Sequence, residues 1–182
     1  LAMNKDQLKK LLKYAKEYGD WTYRFLYVAA YTGMRRGEIL GLRWKDLDLK
    51  DNKIHVRNTL VTVRPSGSEF KKPKTKSGIR PIDISDKMVS IFKKIKKVQA
   101  ENKLFLGQDY NNKHNLVFCK EDGSKLYPNT ATRRFNRVAK KADLEQFHLH
   151  SLRHTHASLL LQAEVHSKIV QERLGHSKIS QT

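Results

Sequence analysis

Four clusters of cationic side chains hold the chemistry this chain can offer. Tyr31-Thr-Gly-Met-Arg35-Arg36-Gly-Glu38 lies near the amino end, and Lys71-Lys72-Pro-Lys74-Thr-Lys76-Ser-Gly78-Ile-Arg80 follows it. His150-Ser-Leu-Arg153-His154-Thr-His156 and Leu174-Gly-His176-Ser177 sit close to the carboxyl end. A guanidinium makes forked, charge-assisted hydrogen bonds to two phosphate oxygens at once. An imidazole moves a proton near neutral pH. Arginines and histidines without a carboxylate cluster suit a site that grips a phosphodiester without a metal. The pattern points to phosphoryl transfer on nucleic acid.

Each residue also has a plainer reading. Arg35 and Glu38 have the spacing of an ordinary i,i+3 helix pair. Arg153 lies among Leu149 and Leu152, as a buried ion pair would, yet no acid is near it in sequence. His150 and His154 are four apart, as zinc ligands are, but Ser151 stands where the metalloprotease pattern needs Glu. No metal and no cofactor are expected, and His154 and His156 are read as structural. Cys119 sits in the apolar run Leu116-Val-Phe-Cys119 and reads as a packed thiol rather than a nucleophile.

The elements that must position these groups are mostly helical. Asn4 and Gln7 form a capping box ahead of the stripe Leu8, Leu11, Leu12 and Ala15. A second helix runs from Trp21 to Tyr31, is interrupted at Thr32-Gly33, and resumes over Arg36–Leu40, leaving Arg35 at a helix boundary where backbone amides can also face a phosphate. Residues 53–63 are rich in β-branched types and read as one strand. Residues 79–84 read as an edge strand, because Pro81 cannot donate to a central ladder. Together they predict a small antiparallel sheet of about three strands. Ser85 caps a further helix with Met88, Phe92 and Ile95 at helical spacing. Residues 101–128 read as loops with a short strand near Cys119. Asn129–Lys141 is a basic helix carrying Arg133, Arg134 and Arg137, Leu149–Gln162 an apolar helix, and Ser167–Leu174 a short helix stopped by Gly175. The fold class is mainly α with a small antiparallel β-sheet (α+β).

Composition agrees with the chemistry. The 182 residues hold 37 Lys plus Arg against 18 Asp plus Glu, a formal net charge of +19. A charge of that size concerns partners rather than fold, and its natural partner is the phosphate backbone. A solvated basic surface or an affinity for anionic lipid are the alternatives. No apolar run approaches the roughly 20 residues of a membrane span, so no membrane partner is expected. The single cysteine rules out an internal disulfide and suggests a reducing, cytoplasmic compartment.

The four clusters, in this order, resemble the motifs of the tyrosine recombinase catalytic domain, the family of phage and mobile-element integrases. The resemblance covers nearly the whole chain and implies the fold of that catalytic domain. It implies an enzyme that cuts and rejoins DNA through a 3′-phosphotyrosine intermediate, needs no ATP, and works as a homo-tetramer on paired duplex sites at the nucleoid. Carried over position by position, Arg35 and Arg153 would hold the non-bridging oxygens. Lys76, with Lys74 as runner-up, would protonate the leaving 5′-oxygen. His150 would assist proton transfer, His176 would bond another phosphate oxygen, and Glu38 would orient the arginines. Lys72, Lys74, Arg80, Arg133, Arg134 and Arg137 are expected to contact DNA, and Arg36 to face solvent or the DNA backbone. The family's nucleophilic tyrosine should follow His176, whereas no tyrosine follows Tyr127. The chain is thus expected to be one catalytic domain over residues 1–182, stopping short of that tyrosine and lacking the amino-terminal DNA-clamping arm. A type IB topoisomerase and a catalytically silent DNA-binding module are the competing expectations.

Overall fold

A computed structural model of the chain describes residues 1–64, 67–73 and 78–175. These divide into two compact units, one of Leu1–Arg36 with the segment from Asn129 onward, the other of Gly37–Pro128.

The first unit is helical. Helix α1 (Lys5–Tyr18) starts at the expected capping box, in which the Asn4 side chain accepts from the Gln7 amide and Gln7 returns the bond. Its buried stripe of Leu8, Leu11, Leu12 and Ala15 packs on α2 (Asp20–Thr32). Helix α2 is buried over most of its circumference, because it also packs on α6 (Ser151–Gln162). Its apolar run Phe25-Leu-Tyr-Val-Ala-Ala30 has no polar face to give to water. Helix α5 (Pro128–Lys141) has its first residue in the other unit and the rest in this one. It buries Ala131, Phe135, Val138 and Ala139 on one stripe and leaves its arginines on the other. Helix α7 (Ser167–Leu174) closes on α6 through Val170 and Leu174 against Ala157, Leu160 and Val165. The Met3 amide donates to Thr155 Oγ1 at 2.9 Å, tying the amino end to α6.

The second unit opens with α3, whose full extent is Arg36–Leu40, and contains two small sheets. Strands β1 (Leu47–Asp48), β2 (Lys53–Val56) and β5 (Arg80–Asp83) form an antiparallel sheet in the order β1-β2-β5, with Ile54 opposite Ile82 and His55 opposite Pro81. The edge position read from Pro81 is therefore found. Strands β3 (Thr59–Val63) and β4 (Gly67–Lys71) pair separately. The single strand expected over 53–63 is thus two strands in different sheets. Ile54, Val56 and Leu60 are buried, and an unbroken strand would carry the amide of Asn58 on that same apolar face.

Helix α4 (Asp86–Leu106) begins at Ser85, whose hydroxyl accepts from the Met88 amide, and outruns the expected end by including 101–106. Glu101, Lys103, Leu104 and Leu106 are strong helix formers, but the segment buries little, with Leu104 86% and Phe105 90% exposed, so burial periodicity gave no sign of it. The strand expected near Cys119 is absent among the described residues. Leu116 makes only an isolated bridge with Arg43, and the Val117 amide donates to the Leu42 carbonyl. The Gln99 side-chain amide donates to the carbonyls of Leu116 and Val117 at 3.1 and 2.8 Å, in place of a neighbouring strand. Cys119 is buried, as its apolar neighbours suggested, and burial pushes its thiol up to about 11. No helix among the described residues is long and apolar enough to cross a membrane.

Candidate phosphate-binding site

The turn that presents Arg35 is set by its neighbours. Helix α2 ends at Gly33, which adopts φ +66° and ψ 12°, the left-handed conformation that side chains disfavour. Its N–H donates to the Ala29 carbonyl. Thr32 Oγ1 donates to the Val28 carbonyl at 2.6 Å and accepts from the Met34 amide at 3.2 Å. Met34 is buried, which leaves Arg35 exposed at the start of the next element.

Arg153 comes from the first turn of α6 and is only 4% exposed. Its Nη1 donates to the Gly33 carbonyl at 2.6 Å, 120 positions away in sequence, and its Nη2 donates to the Leu174 carbonyl at 2.5 Å. Carbonyl dipoles from two distant segments thus accept from the buried guanidinium. His150 is the N-cap residue of α6 and is exposed. Its pKa is lowered first by desolvation and then by His154, Arg153 and Arg35, which places the imidazole within the field of both arginines. His150 and His154 meet edge to face at 4.9 Å. Among the described residues no group of three or more His, Cys, Asp or Glu is placed to hold a metal ion. The first unit thus gathers Arg35, His150 and Arg153. Lys74, Lys76 and His176 lie outside the described residues.

The other expected contacts divide. Arg134 lies over the Trp21 ring at 4.5 Å, Arg137 donates to Tyr18 Oη at 3.2 Å, and Arg133 is exposed beside them. These three arginines line a cleft of about 600 Å³ with Tyr18, Trp21 and Thr130. Lys72 is exposed. Arg36, expected to face solvent or DNA, instead turns to α5, donating to Thr132 Oγ1 at 2.7 Å. Arg80, expected as a DNA contact, also turns inward in the second unit. It is 6% exposed, and its guanidinium binds both oxygens of the buried Glu38 at 3.1 and 3.0 Å and the Gly78 carbonyl at 3.1 Å. A buried carboxylate requires such a partner, and Arg80, across the fold on β5, supplies it in forked geometry.

Two residues at this site escaped the sequence reading as contributors. His156, read only as structural, and Arg173, not singled out at all, meet at 3.0 Å, with Arg173 Nε donating to His156 Nε2. Arg173 lies in no motif, and the motif that holds His156 does not show its role, because that role depends on carbonyls of α2.

The chain is 30% identical to a XerC-like tyrosine recombinase of Caldanaerobacter subterraneus subsp. tengcongensis, over 97% of this chain and 47% of that protein. It is 30% identical to the ICEBs1 integrase of Bacillus subtilis, over 87% of this chain and 42% of that protein. The chain therefore spans about half the length of the curated relatives it matches. In structure it is similar to the Tn1549 transposon integrase solved in complex with circular intermediate DNA, with a TM-score of 0.85 and 26% identity over 100% of this chain and 60% of that one. The XerA recombinase shares the fold at a TM-score of 0.77 and 24% identity, over 100% of this chain and 58% of that one. The phage integrase family model matches residues 2–182, and the chain belongs to that family.

Proposed function

We propose that this chain carries the phosphate-gripping site of a site-specific DNA recombinase, a strand transferase that forms a 3′-phosphotyrosine intermediate. The observation that supports it best is the gathering of Arg35, His150 and Arg153 in one unit from distant segments. In the reaction a tyrosine oxygen attacks the scissile phosphorus while the bond to the 5′-oxygen breaks. The pentavalent transition state spreads negative charge over its non-bridging oxygens. Arg35 and Arg153 bind those oxygens and stabilise that charge in a preorganised setting, where one such donor is worth roughly 100- to 1,000-fold in rate. His150, kept neutral by its surroundings, is suited to accept a proton from the tyrosine hydroxyl. Lys76 returns a proton to the leaving 5′-oxygen, and His176 bonds a further phosphate oxygen. The free 5′-hydroxyl of another strand then attacks the phosphotyrosine and releases the protein. Glu38 holds Arg80 within the second unit. The full-length protein works on duplex DNA as a homo-tetramer across paired sites, at the nucleoid in the cytoplasm. Membership of the phage integrase family favours recombination over topoisomerase activity and over a silent DNA-binding module.

The test is a suicide substrate nicked beside the cleavage site, incubated with the full-length protein and run on a denaturing gel. A covalent adduct should form without magnesium, and Arg153→Ala should abolish it while DNA binding persists. Peptide mapping should place the adduct on none of Tyr14, Tyr18, Tyr23, Tyr27, Tyr31, Tyr110 or Tyr127. A strict need for a divalent metal, or an adduct on one of those seven tyrosines, would overturn the proposal.

A further inference from the structure

We infer that His156 and Arg173 are positioning residues for the phosphate site, capping the carboxyl end of α2 so that the Gly33–Arg35 turn and the end of α7 are held together. The inference rests on the recombinase reading above.

The last four carbonyls of a helix have no partner within it and form its negative end. In α2 these are Ala29, Ala30, Tyr31 and Thr32. Ala29 receives the Gly33 N–H. Ala30 receives Nδ1 of His156 at 3.1 Å, and Tyr31 receives Nη2 of Arg173 at 3.4 Å. Just past the helix, the Gly33 carbonyl receives Nη1 of Arg153. Side chains from α6 and α7 therefore take up the carbonyls immediately before Arg35.

The pairing also fixes the state of His156. A guanidinium Nε–H can only donate, so His156 Nε2 must present a lone pair to Arg173. Nδ1 then carries the proton and gives it to Ala30. The ring is 5% exposed, and the charged groups acting on it are Arg173 from α7 and Arg153 from its own helix, while α2 presents only carbonyls. Burial and the two guanidiniums push its pKa down to about 4, so the neutral bridging form holds at physiological pH.

The geometry leaves little slack. A Cβ on Gly33 would lie 2.6 Å from Leu174 Cδ2 and 2.7 Å from His156 Cδ2, so α6 and α7 close directly on the turn. Leu174 supplies the carbonyl that Arg153 Nη2 binds, and Gly175 leads the chain into His176. Loss of the His156–Arg173 bridge would loosen the turn before Arg35 and an acceptor of Arg153 together, although neither residue is placed on the reacting phosphate.

The experiment measures single-turnover adduct formation by the full-length protein on the suicide substrate, across a DNA concentration series. Arg173→Gln and His156→Leu should each lower the saturating rate about 10- to 100-fold, the range expected when reacting groups shift by about an ångström. The half-saturating DNA concentration should change less than about threefold, since backbone phosphate contacts elsewhere dominate affinity. His156→Gln, whose amide can donate and accept over a similar span, should recover most of the rate. Nitrogen NMR of the wild type at pH 7 should show His156 protonated at Nδ1, and Arg173→Gln should alter its Nε2 resonance. His156→Leu tests a buried position, so the half-buried Arg173 keeps the test open if that variant does not fold. Equal saturating rates in wild type and Arg173→Gln, or an Nε2-protonated His156, would overturn the inference. A wild type that forms no adduct would instead overturn the recombinase reading on which it rests.

Discussion

Replacing Gly33 with alanine should cost the first unit about 1–4.5 kcal/mol. Two costs and one smaller gain make up that figure. Gly33 sits at φ +66°, where a Cβ costs about 1–2 kcal/mol. The new methyl would also lie 2.6 Å from Leu174 Cδ2 and 2.7 Å from His156 Cδ2, well inside ordinary contact. Overpacking of that kind costs about 1–3 kcal/mol. The stiffer unfolded chain returns about 0.4–1 kcal/mol. The leucine tip can rotate away, but the imidazole is pinned by Ala30 and Arg173, so relief is partial.

The assay is urea unfolding followed by tryptophan fluorescence. Trp21 lies in the first unit and Trp44 in the second, so a Trp44→Phe background makes Trp21 report on the unit that holds Gly33. The steric term is isolated by a cycle with Leu174→Ala. Removing the leucine tip should cut the cost of Gly33→Ala by about 1 kcal/mol or more, since residues in contact couple by that much. Strict additivity would refute the close approach of α7 to this turn.

Four further outcomes follow from the geometry. Arg80→Met should destabilise the second unit by about 3–5 kcal/mol, because Glu38 loses its forked cation, while Arg80→Met with Glu38→Gln should cost clearly less; Trp44 fluorescence in urea reads both. Cys119, whose thiol is pushed up to about 11 by burial, should react with a thiol reagent at pH 8 only as fast as the second unit opens, and rapid labelling of the native protein would contradict that burial. His156, held at about 4 in the fold against about 6.5 unfolded, contributes roughly 3 kcal/mol of stability that is fully present above pH 6.5 and is lost as pH falls towards 4; His156→Gln should remove that part of the acid dependence, and an unchanged pH profile would refute it. If the arginine face of α5 contacts DNA backbone, Arg133→Gln and Arg137→Gln should each reduce the slope of log affinity against log salt by about 0.9, and unchanged slopes would take that face off the DNA.

What could be read in the sequence depended on how local its cause was. The capping box at Asn4, the hydroxyl cap at Ser85 and the glycine stops at Gly33 and Gly175 act within a turn of chain, and all lie where the sequence placed them. The edge position of β5 followed from the chemistry of Pro81 alone. Features with distant causes were hidden. The break after Val56 shows only once Ile54, Val56 and Leu60 are seen to be buried, because an unbroken strand would then carry Asn58 on that apolar face. The Leu116–Cys119 segment looked like a strand because its backbone partners, Gln99 and Leu42, lie far away in sequence. The same division runs through the site. Arg35, His150 and Arg153 could be singled out because the spacing of residue types within motifs is chemical information, and the three lie in one unit. Arg80 was misplaced because its burial depends on a carboxylate 42 positions earlier in the chain. Arg173 was missed, and His156 was read only as structural, for a subtler reason: their partners include backbone carbonyls, which every residue has, so no side-chain type at Ala30 or Tyr31 announces the contact. A supporting residue that acts through the backbone leaves its trace only in the fold, and variants at such positions are where rate and stability data separate support from chemistry.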